Sequence, residues 1–178
     1  MREHLEHGVT LVIGGARSGK SSYAETLACS LTDRPIYLAT AEITDEEMRL
    51  RIERHRKQRE GKFSLTVEEP LELATALEKI GPSPVVLVDC VTVWMGNLLY
   101  HEGLSDRYRQ VEELLDYCTH PSQRLLIVSN EVGSGIVPAD PMSRHFRDHA
   151  GWLNQSLARI ADTVVWVVAG IPVTIKGA

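Results

Sequence analysis

Eight residues, Gly14-Gly15-Ala16-Arg17-Ser18-Gly19-Lys20-Ser21, restrict what this chain can fold into more than any other stretch. They follow the apolar run Val9 to Ile13, which reads as a strand, and lead into Ser21 to Leu31, which reads as a helix. A GxxxxGKS sequence between a strand and a helix is the Walker A pattern. Its glycines let the backbone curl so that several N–H groups point inward. The following helix N-terminus adds partial positive charge at the same spot. Lys20 is then placed to reach the β- and γ-phosphates of a nucleoside triphosphate, and the Ser21 hydroxyl to ligate Mg2+. A glycine-rich turn that binds nothing is the alternative, and the Lys-Ser pair with both flanks correct argues against it.

The remaining elements continue the alternation. Ile36 to Thr40 reads as a strand, Asp45 to about Arg59 as a highly charged helix, and Leu71 to Ile80 as a helix stopped by Gly81-Pro82. Val85 to Val88 and Leu125 to Ser129 are continuous apolar runs, as expected of strands buried on both faces. Ser105 to Cys118 and Arg144 to Ile160 read as amphipathic helices, and Thr163 to Ala169 with Val173 to Lys176 as a closing hairpin around Gly170-Ile171-Pro172. Such an order predicts an α/β fold with a mostly parallel central sheet and helices on both faces. The 178 residues suit one domain spanning 1–178, large enough to hide roughly 70% of the unfolded surface. No internal repeat or linker interrupts it.

Composition excludes some partners. A net charge of -5 argues against a broad nucleic-acid surface. No apolar run approaches the ~20 residues of a membrane span. Three cysteines, Cys29, Cys90 and Cys118, lack metal-type spacing, and an odd count with no signal peptide points to a reducing cytoplasm.

Several further residues suggest chemistry. Val85-Val86-Leu87-Val88-Asp89 has the Walker B form, so Asp89 either sits near Mg2+ at a strand's carboxyl end or caps the next helix. In the charged helix, Arg51, His55 and Arg59 recur every four residues on one face. The bland reading is a solvated helix whose acidic start and basic end suit its dipole. The functional reading is a nucleophilic imidazole with guanidinium groups holding phosphates beside it. Asn130-Glu131 follow a strand and face the same crevice, with Glu131 and Asp89 as possible proton acceptors, or else form a structural turn. Arg144, His145 and Arg147 suit either a phosphate contact or the polar face of a helix. Trp94, Met95, Leu98 and Leu99 at helical spacing indicate core or subunit contact.

The blocks GGARSGKSSYAE, DEEMRLRIERHR, VLVDCVTVWMGNLL and NEVGSGIVPADPMSRHFRDHAGWLNQSLA, in that order, resemble the bifunctional adenosylcobinamide kinase / adenosylcobinamide-phosphate guanylyltransferases of cobalamin biosynthesis. The likeness runs from about Leu11 to Lys176. It implies a RecA-like P-loop NTPase fold and two reactions. The first is phosphorylation of the aminopropanol hydroxyl of adenosylcobinamide by ATP or GTP. The second is transfer of GMP from GTP onto that phosphate through a guanylyl-histidine, for which His55 is the matching position. Arg56, Lys57, Gln58 and Arg59 are implied to grip nucleotide, with Thr40, Ala41 and Glu68 as further contacts. The substrates are then a corrinoid and a nucleoside triphosphate, and the resemblance implies a homotrimer. Two other readings compete: a single-function P-loop small-molecule kinase, and a nucleotide-dependent switch without small-molecule chemistry.

Overall fold

The computed structural model describes residues 8–177. Seven strands form one sheet: β1 (Gly8–Gly14), β2 (Ile36–Ala39), β3 (Leu65–Glu68), β4 (Val85–Asp89), β5 (Arg124–Asn130), β6 (Thr163–Val168) and β7 (Ile171–Lys176). Their order is β3-β2-β4-β5-β1-β6-β7. Every neighbouring pair is parallel except β6 with β7, which closes the sheet as an antiparallel hairpin. The helices are α1 (Lys20–Leu31), α2 (Glu46–Gln58), α3 (Leu73–Ile80), α4 (Val91–Glu102), α5 (Arg109–Thr119) and α6 (Pro141–Ile160). None of the described helices is long and apolar enough to cross a membrane.

The period of two along each strand divides the core into two layers. Leu11, Val86, Val88, Leu125, Ile127 and Val164 point to one side, where Leu73, Leu77, Trp94, Leu98, Leu114 and Leu157 from α3 to α6 cover them. Val12, Val85, Leu87, Leu126, Val128 and Val165 point to the other, where Ala24 and Ala28 of α1 pack closely. The Trp94 stripe is therefore core, with Trp94 and Leu98 wholly buried. Both faces of the four central strands are apolar, which is why their sequences read as unbroken runs.

Two elements escape the sequence pattern. Strand β3 has mostly exposed residues and pairs only with β2 at the sheet edge. Its residues show no buried face that a hydrophobic period would reveal. Helix α4 starts directly after Asp89 and Cys90, without an intervening loop, so the strand and helix signals run together. Helix α6 begins at Pro141, earlier than Arg144, because Asp140 Oδ1 accepts from the Ser143 N–H at 2.8 Å and caps it.

Candidate nucleotide site at the carboxyl ends of the strands

The phosphate loop leaves β1 at Gly14 and is tightly shaped. A Cβ on Gly14 would stand 2.5 Å from the Val167 carbonyl and 2.6 Å from Ser18 Oγ. The Ser18 N–H donates to the Gly15 carbonyl at 3.2 Å, and the chain passes through left-handed conformations at Arg17 and Gly19, φ 56° and 92°. The turn between β6 and β7 braces the loop from behind: the Gly170 N–H donates to the Ser18 carbonyl at 2.8 Å. Lys20 is buried, and its Nζ donates to the Gly15 carbonyl at 3.1 Å across the mouth of the loop.

Beside the loop lies a cavity of about 740 Å3, a size usual for nucleotide-sized ligands. Ala16, Arg17, Ser18, Gly19, Lys20 and Ser21 line one side. Thr40, Ala41, Asp89 and Asn130 contribute from the ends of β2, β4 and β5. Helix α2 adds Met48, Ile52, His55 and Arg56 to the lining, and Arg59 and Glu68 complete it. Helix α2 is built for this position. Asp45 Oδ1 accepts from the Met48 N–H at 2.7 Å, Glu46 and Glu47 occupy the first turn, and His55, Arg56 and Lys57 occupy the last. That charge order complements the dipole and delivers its basic end to the cavity.

Asp89 Oδ2 accepts a hydrogen bond of 2.8 Å from the Tyr37 hydroxyl. Burial, then the neighbouring Asp89 carboxylate, holds the Tyr37 phenol far above the usual tyrosine range, so it stays protonated as the donor. The Arg59 guanidinium carbon lies 3.7 Å above the Tyr37 ring centre, and Phe63 meets the same ring edge-on at 5.1 Å. Thr40 Oγ1 bonds both the carbonyl (2.9 Å) and the N–H (3.0 Å) of Cys90 across the cis Asp89–Cys90 peptide. Its side chain is thus occupied in joining β2 to β4. Arg56 forms a hydrogen-bonded ion pair with Glu68.

The cavity thus gathers most of the residues expected from sequence, but not all. Lys57 and Gln58 are exposed on α2 and lie outside its lining, as do Gly14 and Gly15, whose part is to shape the loop. The side chain of Arg51 lies outside the described residues. Glu131 Oε1 accepts from the Gly133 N–H at 2.6 Å, which makes it part of its own turn rather than a base in the cavity. Arg144 Nη1 donates to the Pro138 and Ala139 carbonyls, Arg147 pairs with Asp148, and His145 bonds Tyr108 on the α5 side. Those three serve helix α6 and its entry loop. Tyr37 was not anticipated; the available signal was a phenol in a short buried strand, which needs a hydrogen-bond partner.

The strand–loop–helix cradle, the buried lysine and the strand-end carboxylate define a P-loop nucleotide-binding α/β protein. The fold agrees with solved structures at low identity. The flagellar accessory protein FlaH from Methanocaldococcus jannaschii superposes with a TM-score of 0.55 at 11% identity, covering 96% of this chain and 78% of that one. A type III secretion system ATPase gives 0.53 at 13% identity, covering 94% and 56%. The chain belongs to the cobinamide kinase / cobinamide phosphate guanyltransferase family, whose sequence model matches residues 10–175. It is similar to the bifunctional adenosylcobalamin biosynthesis protein CobP of Pseudomonas aeruginosa, 42% identical over 168 residues, 94% of this chain and 96% of that protein. It is likewise similar to CobU of Escherichia coli, 42% identical over 181 residues, 93% and 98% respectively. The protein is a transferase.

Proposed function

We propose that this chain phosphorylates the aminopropanol hydroxyl of adenosylcobinamide with ATP or GTP. It then transfers GMP from GTP to adenosylcobinamide phosphate, giving adenosylcobinamide-GDP and pyrophosphate. The observation that carries this reading is one cavity lined both by the phosphate loop and by His55. A kinase alone has no evident use for an imidazole and a basic helix end in the same cavity as its phosphate loop.

Both reactions are displacements at phosphorus, so positioning and charge neutralisation supply most of the catalysis. Lys20 and the loop amides hold the triphosphate. The Ser21 hydroxyl and the Asp89 carboxylate line the cavity and are hard oxygen donors suited to Mg2+. When bound there, Mg2+ would neutralise charge on the phosphates. In guanylyl transfer, a His55 ring nitrogen bonds the α-phosphorus while the bond to the α,β-bridging oxygen breaks and pyrophosphate leaves. The phosphate oxygen of adenosylcobinamide phosphate then takes the α-phosphorus from the imidazole. Dividing one transfer into two is the advantage of a covalent intermediate. Arg56, paired with Glu68, and Arg59 border the cavity with His55 to grip nucleotide, and Thr40 and Ala41 shape it at the end of β2.

The same reading takes chain 1–178 as one domain working in the cytoplasm as an oligomer, a trimer by family resemblance. The exposed apolar side chains Trp166, Val168, Ile171, Val173 and Ile175 on β6 and β7 support contact between copies.

The test is incubation with GTP labelled at the α-phosphate. Label is expected on His55 in a bond that acid cleaves and base spares. Changing His55→Ala is expected to abolish labelling and pyrophosphate release while phosphorylation of adenosylcobinamide persists. Labelling that survives the change would place the nucleophile elsewhere.

A further inference from the structure

Asn130 is the last residue of β5, in register with Gly14 at the start of the phosphate loop. Strand β5 lies between β1 and β4, so Asn130 stands between the loop and the strand that ends in Asp89. Its main chain is held by a closed ring of hydrogen bonds. The Asn130 N–H donates to Thr92 Oγ1 at 2.6 Å. Thr92 Oγ1 meets Ser129 Oγ at 3.0 Å, and Ser129 Oγ donates to Asn154 Oδ1 at 2.5 Å. Asn154 Nδ2 donates back to the Asn130 carbonyl at 3.0 Å. Thr92, Ser129 and Asn154 are all buried. Such a satisfied network in a low-dielectric setting fixes its members firmly.

The ring uses only the backbone of Asn130. Its carboxamide borders the nucleotide cavity, yet Oδ1 is buried with no hydrogen-bond partner among the described residues. Any residue with an N–H and a carbonyl would complete the ring, so the fold gives no reason for an amide here. A buried amide oxygen without a partner destabilises the protein that carries it. The terminal torsion of asparagine is broad, so the amide turns toward the cavity at small cost.

We infer that Asn130 holds the attacking hydroxyl of the corrinoid in the phosphorylation step, an inference that rests on the function proposed above. The turned Oδ1 accepts a hydrogen bond from that hydroxyl and aims its oxygen at the γ-phosphorus. The new bond joins the hydroxyl oxygen to the γ-phosphorus, and the bond from γ-phosphorus to the β,γ-bridging oxygen breaks. The nucleoside diphosphate leaves with that oxygen. Once the new bond has formed, the hydroxyl proton is acidic, leaves its contact with Oδ1 and passes to water. Asparagine takes no proton in this scheme; it orients the nucleophile. Guanylyl transfer attacks the α-phosphorus from the α2 side and does not use it.

The experiment compares wild type and Asn130→Ala in three assays: phosphorylation of adenosylcobinamide by ATP, pyrophosphate release from GTP alone, and thermal unfolding. The expected result is a fall of about 10²-fold in kcat for phosphorylation, the scale of loss for a misplaced nucleophile. KM for ATP is expected to stay within about twofold. Pyrophosphate release is expected to fall far less than phosphorylation does, and Tm to be equal or higher, because the change removes an unpartnered buried oxygen. A variant that phosphorylates at the wild-type rate overturns the inference. So does a variant with lowered Tm that loses both reactions alike, since that marks a structural role. Wild-type protein that releases pyrophosphate but never phosphorylates the corrinoid would instead remove the functional reading beneath it.

Discussion

The hydroxyl of Tyr37 donates to Asp89 Oδ2 at 2.8 Å, so the carboxylate at the end of β4 is aimed by a residue on the neighbouring strand β2. The phenol is buried and its shifted equilibrium keeps it a donor. Changing Tyr37→Phe removes the hydroxyl and leaves the ring under Arg59. Loss of one hydrogen bond to a charged acceptor is expected to cost about 1–2 kcal/mol in denaturant unfolding. Asp89 also loses its fixed orientation, so the Mg2+ concentration for half-maximal turnover is expected to rise several-fold. A variant with wild-type Mg2+ dependence would show that Tyr37 does not orient the carboxylate for metal.

Gly14 and Gly15 are adjacent in sequence and opposite in tolerance. A methyl at Gly14 meets the Val167 carbonyl at 2.5 Å, a backbone atom that cannot move without disturbing β6. A methyl at Gly15 meets no heavy atom of the described residues within 4 Å. Gly14→Ala is therefore expected to destabilise by about 1–3 kcal/mol through overpacking. Gly15→Ala is expected to change stability by less than about 0.5 kcal/mol. Paired urea titrations read the difference; equal stabilities would contradict the packing account.

These contrasts mark where the sequence was readable and where it was not. The central strands were legible because helices cover both faces, which leaves continuous runs such as Val85 to Val88. The phosphate loop and Asp89 were legible because their chemistry requires particular residues at fixed places around a strand end. The edge strand β3 was not, since Leu65 and Thr66 are exposed and its position depends on pairing with β2. The roles of residues 56 to 59 could not be separated from spacing alone. Helical rotation puts Arg56 on the cavity, and Arg59 follows at the helix end, while Lys57 and Gln58 face away. Tyr37 gains its meaning only from a partner 52 positions distant, Asp89. Asn130 was legible as a crevice residue at a strand end, but the ring that holds its main chain reaches Thr92 and Asn154, 38 and 24 positions away.

The cysteines differ in burial, and that fixes their reactivity. Burial, then the adjacent Asp89 carboxylate, pushes the Cys90 thiol up to about 11, and burial pushes Cys118 up to about 12. Cys29 is exposed. In native protein near neutral pH, a thiol reagent is expected to modify Cys29 rapidly and to reach Cys90 and Cys118 only after denaturation. The raised thiols also set a sign for stability. They stay neutral in the folded state while unfolded thiols ionise above the ordinary value of 9.0. The folded protein thus keeps protons that the unfolded chain releases, so this contribution is whole below about 9 and declines as pH rises toward about 11 for Cys90 and about 12 for Cys118. Replacing Cys118→Ala is expected to flatten the alkaline decline measured by urea unfolding.

Arg59 is a buried cation whose guanidinium carbon lies 3.7 Å over the centre of the Tyr37 ring, with Nε lacking a hydrogen-bond partner among the described residues. A flat, weakly hydrated ion tolerates this setting, whereas a compact ammonium does not. Arg59→Lys is therefore expected to behave nearly as badly as Arg59→Ala, losing about 1–2 kcal/mol of stability from the lost face-on contact. The same cation borders the cavity. Its removal is expected to weaken GTP binding by about tenfold or more, the scale of one charge-assisted contact. Calorimetric unfolding and GTP titration of both variants separate the two effects. If lysine restores stability and affinity together, charge alone is what the site requires, and the stacking geometry on Tyr37 has no part in holding the nucleotide.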